Sequence, residues 1–368
     1  MSTVPAVSIV MPVFNALPYL YESLDSVVNQ SLREIEIICV NDGSTDESLR
    51  VMQEYAARDS RIKIIDKPNG GYGHTMNRGI AAATGEYIGI LEPDDFADPD
   101  MFADLYRSAV KYRADVVKSN YYEYKTADGS NSFCEVLKGR PYDTLLCPAM
   151  EETSVILRPC IWTAIYRRSF LEERHIVFNE TPGASYQDTS FAFRVLASAQ
   201  RGVYVRKGYL HYRTDNENSS VKSGGKVFCI CDEFQTIQAF LNTDALMKQR
   251  FIGPLQVLKL DSYSWNLERI APEFKEKFRD QIALEFIKAR YENLIERRFF
   301  DDKRWAQLQG LLAEYEAKER TALALKKKYG KLPPPSFGQR LKGGVRCVLD
   351  HGLIYTVKLF FRKLRRAA

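Results

Sequence analysis

A chain of 368 residues, 45% hydrophobic and 27% charged, has the composition of an ordinary globular protein, with room for a catalytic-sized domain and a smaller second region. No stretch approaches the roughly 20 apolar residues of a membrane span. The opening MSTVPAVSIVMPVF lacks a basic n-region and a long apolar run, so no signal peptide is expected. The net charge of +5 belongs to the tail, where residues 339–368 hold eight Lys or Arg against Asp350 alone. No nucleic-acid partner is expected.

Seven cysteines, an odd number without a CxxC pair, read as free thiols in a reducing cytoplasm. Cys229 and Cys231 are the one close pair, and a metal knuckle there would need partners that the sequence does not offer.

In chain order, residues 7–13 predict a buried strand and 17–30 a helix. A second strand follows at 35–40, then a helix at 46–58 with acids in its first turn. Strand 62–66, helix 74–84, strand 87–91, helix 99–112 and strand 115–119 continue the alternation. Strands separated by single helices imply a mostly parallel sheet with helices on both faces. Ligands bind such sheets at the carboxyl ends of the strands. The loops there are the polar ones: PVFN (12–15), NDGSTDES (41–48), KPNGGYGH (67–74) and EPDD (92–95).

The last of these raises a question of charge. An apolar strand ends by crowding Glu92, Asp94 and Asp95 into four residues, although like charges repel and each resists leaving water. A cation is the expected partner. Hard oxygen ligands of this kind suit magnesium or manganese bridging to phosphate oxygens. Asp42, ending the second strand, is placed to accept a hydrogen bond from a nucleobase edge, and Asp94 suits a ribose hydroxyl.

Beyond residue 120 the pattern loosens. CIWTAIYRRSFL (160–171) holds Trp162, which reads equally as a core residue or as a sugar-stacking one. SYQDTSF opens a helix over 189–199, with Asp188 as either its cap or a catalytic carboxylate. Strand-like residues 202–209 lead into a polar loop, YLHYRTDNENSS (209–220). Residues 226–329 are mostly helical, KLPPPSFG (331–338) is a stiff linker, and a basic amphipathic segment (339–368) follows. The expected domains are 1–225, 226–330, the linker, and the tail.

Three segments resemble the family 2 glycosyltransferases of the GT-A fold. VSIVMPVFNALPYLYESLDSVVNQSL is similar to their opening signature and IEIICVNDGSTDES to their nucleotide-binding second strand. GYGHTMNRGIAAATGEYIGILEPDDF is similar to the run into their DxD-type metal motif. The resemblance implies an α/β GT-A fold, a nucleotide-sugar donor (UDP being commonest), a divalent metal, and sugar transfer with inversion. It implies donor contacts from Pro12, Val13, Asn15, Asp42, Asn77 and Asp94, metal ligation by Asp95 with Glu92, and Asp188 as general base. Glu92 stands where the family usually has Asp, Met76 where it often has Arg, and Gln187 where Glu usually precedes the base.

HYRTDNENSS resembles a loop that closes over the donor diphosphate in related bacterial polymer glycosyltransferases. Arg213 and Ser219 are expected on the phosphates, and His211 as a metal ligand or phosphate contact. The expected acceptor is lipid-linked or a polysaccharide, at the inner face of a plasma membrane reached by the anionic-surface-binding tail. The alternative is a catalytically inactive nucleotide-sugar-binding module. Other readings fail on residues. GGYGHTMN lacks the third glycine of a dinucleotide fingerprint, DDFADPD lacks the Gly and Glu of a calcium loop, and the first strand is not followed by a nucleotidyltransferase's glycine-rich loop.

Overall fold

The computed structural model describes residues 4–183, 186–216 and 227–329. Ser219, the proline-rich linker and the basic tail lie outside the described residues.

The apolar heptapeptide VSIVMPV forms β1 (Val7–Val13), buried along its whole length. Burial on both faces is what a central parallel strand requires. It pairs in parallel with β2 (Ile35–Asp42) on one side, Val7 opposite Ile35, and with β4 (Tyr87–Ile90) on the other, Val7 opposite Tyr87. β3 (Ile62–Lys67) adds in parallel outside β2. Its residues are mostly only half-buried, as suits an edge. The intervening helices are α1 (Leu17–Val28), α2 (Ser48–Ala56) and α3 (Tyr72–Ala82). Each begins or ends within a few residues of the sequence expectation.

The second half departs from the all-parallel pattern. β5 (Phe96–Ala97) precedes α4 (Met101–Tyr112), which ends on Arg113 in the left-handed conformation. Then come β6 (Val116–Tyr124), β7 (Asn131–Cys134) and β8 (Leu145–Leu146). β9 (Ala164–Arg167) inserts antiparallel between β4 and β6. α5 (Arg168–Glu173) and α6 (Gln187–Ser198) lead to β10 (Gly202–Arg213), parallel to β6 and antiparallel to β5. The sheet order is β3-β2-β1-β4-β9-β6-β10-β5.

One correction follows. Residues 209–213 are not loop but the last part of β10, and His211 and Arg213 are buried. Their polarity suggests solvent, yet each is paired inside the protein, which is what makes buried charge tolerable.

The helices after the sheet are α7 (Cys229–Leu241), α8 (Ala245–Arg269), α9 (Pro272–Tyr291) and α10 (Asp302–Tyr329). Asp244 caps α8, its carboxylate accepting from the backbone N–H groups of Leu246 and Met247, both at 2.9 Å. The chain divides into two compact units, one ending at Lys275 and the other beginning at Glu276. The first extends past the boundary at 225 expected from sequence, because α7 packs on α6 and α8 on α7. In the second unit Lys318 of α10 donates to Glu276 and Asp280 of α9, at 2.5 and 3.1 Å.

Candidate active site

Because β1 to β4 are parallel, the loops following them share one edge, and backbone geometry knits them together. Pro12 and Val13 are buried in β1 beside Val40 and Asn41 of β2. Asn15 takes a left-handed φ of 50°. Its side-chain oxygen accepts from the Thr45 N–H at 2.7 Å, and its own N–H donates to Ser44 Oγ at 3.1 Å. The first two loops are therefore one hydrogen-bonded unit.

Asp42 organises the third loop. Its carboxylate accepts from Lys67 Nζ and from the N–H groups of Gly70 and Gly71, at 2.7 and 3.1 Å. With three acceptor sites engaged, about one of a carboxylate's four remains for a ligand. Gly71, at φ +85°, then starts α3, and at Gly73 a Cβ would sit 1.8 Å from the carbonyl oxygen of Asn179. That close approach brings residues 178–183 against α3. Asn77, expected at the donor, serves this contact instead. Its amide donates to the carbonyl oxygen of Phe178 and accepts from the Phe178 N–H, at 2.9 and 2.8 Å.

The fourth loop carries the carboxylates. Asp95 is 1% exposed; its Oδ1 accepts from the Arg213 N–H at 2.9 Å, while its buried Oδ2 has no hydrogen-bond partner. Burial, and then the neighbouring Asp94, push its carboxyl well above the usual range. Asp94 accepts from the Asn216 amide at 2.8 Å. Glu92 accepts from the Tyr72 hydroxyl at 2.6 Å. Burial raises Glu92 to about 8, with Tyr72 opposing and Asp94 and Asp188 adding to the shift.

Two expected contacts are redirected. Arg213 is not free for a phosphate. Its guanidinium donates to the Asp94 carbonyl oxygen at 2.8 Å, to Thr126 Oγ1 and to Glu22, over the faces of Tyr19 and Tyr124. It braces the carboxylate loop from behind. His211 leaves the expected metal set, because its two ring nitrogens lie 3.0 Å from Asn131 Oδ1 and 3.0 Å from Asp98 Oδ1, with the ring stacked between Phe96 and Tyr122. It sits two residues before Arg213 on the same strand, one pleat away from Asp95.

Asp188 stands across the cluster. The N-cap of α6 is Tyr186, in the left-handed conformation, so Asp188 lies inside the first turn and is not the cap. Burial raises its carboxyl, and the Thr189 hydrogen bonds and the Arg158 charge oppose that shift. Its charge is felt at Glu92, Tyr72 and Lys118. The amide of Gln187 donates to Thr181 Oγ1 at 2.8 Å and to the Gly183 carbonyl oxygen at 3.1 Å. A glutamate there could not donate.

Sequence reasoning missed several groups around the base. Tyr72, visible only as the residue after a Gly-Gly turn, links α3 to Glu92 and donates its N–H to Gly183 at 3.1 Å. Lys118 in β6 is buried and pushed down to about 8 by desolvation. Its ammonium donates to the carbonyl oxygens of Pro159 and Cys160 and to Thr163 Oγ1, at 3.0, 2.6 and 2.9 Å. That fixes the turn, strained at Cys160 (φ 28°), which presents Trp162. Trp162 is nearly buried and stacks on Tyr212, the ring centroids 5.2 Å apart.

A cation fits this arrangement in one specific way. Among the described residues no three His, Cys, Asp or Glu side chains form a ready ligand set. Magnesium-type sites often use one or two carboxylates and complete their shell with substrate phosphates and water. The unpartnered Asp95 oxygen beside Asp94 meets that requirement.

The sheet order, the edge loops and the acidic fourth loop define the GT-A class of glycosyltransferase architecture. Residues 8–174 match the family described as Glycosyl transferase family 2. Glycosyltransferases EpsJ and EpsH of Bacillus subtilis are each 34% identical, over 59% and 57% of this chain and 63% and 61% of their own lengths. The chain thus spans about three-fifths of the length of these relatives. Among solved structures, Staphylococcus aureus TarS 1–349 in complex with UDP-GlcNAc superposes with a TM-score of 0.67 at 19% identity, covering 86% of this chain and 92% of that one. Among the described residues no helix is long and apolar enough to cross a membrane.

Proposed function

We propose that the chain is a metal-dependent inverting glycosyltransferase. It moves a sugar from a nucleotide-diphosphate donor to a hydroxyl of a lipid-linked or polysaccharide acceptor at the inner face of a plasma membrane. The observation that carries this reading is the buried, unpartnered Asp95 oxygen beside Asp94, with Asp188 across the same cluster. TarS, which shares the fold, has been crystallised with UDP and with UDP-GlcNAc, which favours a UDP-sugar donor.

In this reading Asp42 and the loops tied by Asn15 receive the nucleoside, and Asp94 the ribose. Asp95, with Asp94 beside it, would hold a divalent cation, which would supply neutralisation of the diphosphate leaving group. Asp188 takes the proton of the acceptor hydroxyl as its oxygen attacks the anomeric carbon. The diphosphate leaves from the opposite face, so the new bond has inverted configuration. Tyr72 fixes Glu92 by its hydroxyl hydrogen bond at 2.6 Å.

The test is hydrolysis of UDP-GlcNAc and thermal melting, each with manganese or with a chelator. Chelation is expected to abolish turnover, and Asp95→Asn to do the same, at a loss of several kcal/mol of transition-state stabilisation. Without metal the Asn variant should melt higher than the parent at pH 7, because a raised carboxyl pKa means that ionisation in the fold costs stability. Manganese and UDP together should raise the melting temperature of the parent and not of the variant. Full activity of Asp95→Asn in chelator refutes the metal assignment. Binding of UDP-GlcNAc without any hydrolysis or transfer points to the inactive binding module.

A further inference from the structure

Two arginines lie outside the carboxylate cluster, Arg158 with its charge felt at Asp188 and Arg269 linked to the start of α6 through Trp265 and Tyr186. Arg158 is about half exposed, and its Nη1 donates to the Tyr121 hydroxyl at 2.6 Å. Tyr121 packs edge-on against Trp162 with centroids 4.8 Å apart, and Trp162 stacks on Tyr212. This aromatic wall connects Arg158 to the strand end that bonds Asp95, since Tyr212 immediately precedes Arg213.

Arg269, in the last turn of α8, reaches the site from the other direction. Its guanidinium lies 3.5 Å from the centre of the Trp265 ring. Trp265 packs edge-on against Tyr186, whose hydroxyl donates to Asn266 at 2.5 Å. Tyr186 is the residue that sets the start of α6, two positions before Asp188. The Arg158 charge is felt at both Asp188 and Arg269, and that of Tyr212 at Arg269. The two cations therefore converge on one region beside the base.

Neither is matched by a committed anion. Among the described residues, the carboxylates within 4 Å are Glu123 at 3.7 Å from Arg158 and Glu268 at 3.9 Å from Arg269. Both are wide of hydrogen-bond distance, and Glu268 is 78% exposed. Such pairs are weak and yield readily to a better partner. The tyrosine hydroxyl holds one Nη1 donor of Arg158, and Arg269 is held by its stacking on Trp265 and by an Nη1 bond to the Trp265 carbonyl oxygen at 3.1 Å, so most of the five donors of each fork are left for a ligand. That is how arginine is prepared for a phosphate or a carboxylate.

We propose that Arg158 and Arg269 form a binding site for an anionic group of the acceptor, a phosphate or a carboxylate, alongside the hydroxyl delivered to Asp188. This rests on the reading of Asp188 as the acceptor-side base. In that reading the donor diphosphate belongs with Asp94 and Asp95, and the Arg158 and Arg269 site is assigned to the second anion. The aromatic wall of Trp162 and Tyr212 supplies the apolar face against which a sugar ring packs.

The experiment titrates the full chain, saturated with UDP and manganese, with glucose 6-phosphate, glucuronate and glucose. Protein-detected NMR with labelled tryptophan side chains follows Trp162 and Trp265. Saturable shifts at both indoles are expected with one or both anionic sugars and at least tenfold weaker ones with glucose. The stronger of the two anions identifies the group, phosphate or carboxylate. Arg158→Gln with Arg269→Gln should weaken anionic-sugar binding at least about tenfold, since a charge-assisted pair is lost at each position. UDP affinity should stay within about twofold. If Arg158→Gln does not fold, Arg269→Gln alone, on an exposed helix turn, is expected to give a loss of about tenfold. Anionic sugars that bind no better than glucose overturn the proposal. So does a double variant that loses UDP affinity as steeply, which would assign the arginines to the donor. Failure of UDP itself to bind counts against the proposed function, whereas the sugar titration without UDP still decides the arginine site.

Discussion

Asp188 shows how a single residue's chemistry is set by competing effects. From sequence it was equally a helix cap or a base, and its place near a helix start argued for a lowered pKa. The fold removes the cap reading, because Tyr186 occupies the cap position and Asp188 lies within the first turn. It reverses the second, because burial outweighs the helix and the Thr189 hydrogen bonds, and the carboxyl is raised. A base must be ionised, so transfer should rise with pH through a pKa above the ordinary carboxylate value. Asp188→Asn should remove that limb and lower turnover by roughly 10²–10⁴-fold while UDP-GlcNAc affinity is nearly unchanged. Rates at several pH values and isothermal titration on the same variant check this. A variant within a few-fold of the parent rate would exclude Asp188 as the base. Gln187 stands where the resemblance would place a glutamate. Its amide donors to Thr181 and Gly183 give it a positioning role that a glutamate could not fill.

At the scale of elements, the alternating half was legible because each strand and helix there carries its own local pattern. β1 was read to the residue, since a strand apolar but for Ser8, running into the polar PVFN loop, has one plausible frame. The insertion of β9 was not legible, because pairing partners are chosen by tertiary packing and not by a four-residue segment. The extension of β10 through His211 and Arg213 was hidden for a related reason: the groups that make those polar residues buriable, Asp98 and the Asp94–Asp95 loop, lie more than a hundred residues away. The opposite edge of the sheet holds an unpredicted clamp. Glu36, 3% exposed at the start of β2, accepts from Ser8 of β1, Lys63 of β3 and Thr84 before β4. These contacts hold its carboxyl down at about 2 against the burial that raises it. A depressed carboxylate pKa contributes stability that is present above the unfolded value near 4.5 and lost as pH falls toward 2. Glu36→Gln should therefore cost about 2–3 kcal/mol at pH 7 and flatten the acid-unfolding profile between pH 4.5 and 2. Urea melts across that window test it, and equal stability of the two proteins at pH 7 would show the clamp to be incidental.

For the molecule as a whole, the sequence pointed to the polar loops that the fold gathers at one sheet edge, the acidic one included, but not to the cations around them. Arg213 was expected outward and is spent inside, whereas Arg158 went unread because its partner Tyr121 lies 37 residues earlier in β6, and Arg269 because Tyr186, which ties it to α6 through Trp265, is distant in sequence. Charge distribution is the argument for the proposed membrane surface. The net +7 of residues 339–368 lies outside the described residues, so the case rests on sequence. Drawn as a helix, Val345, Val348, Leu349, Leu353, Phe360 and Leu364 fall broadly on one side, with Lys358, Arg362 and Arg365 largely on the other. Such a segment suits the interface of an anionic membrane, where each basic residue contributes about 1 kcal/mol. Gly343, Gly344 and Gly352 disfavour the helix in water, which suits ordering on contact with lipid. The expectation is that the full chain co-sediments with phosphatidylglycerol-containing vesicles at low salt, and much less at high salt. Deleting residues 339–368 should release it while hydrolysis of UDP-GlcNAc persists. Equal sedimentation of the two proteins, or binding that ignores salt, would place the membrane contact elsewhere in the chain.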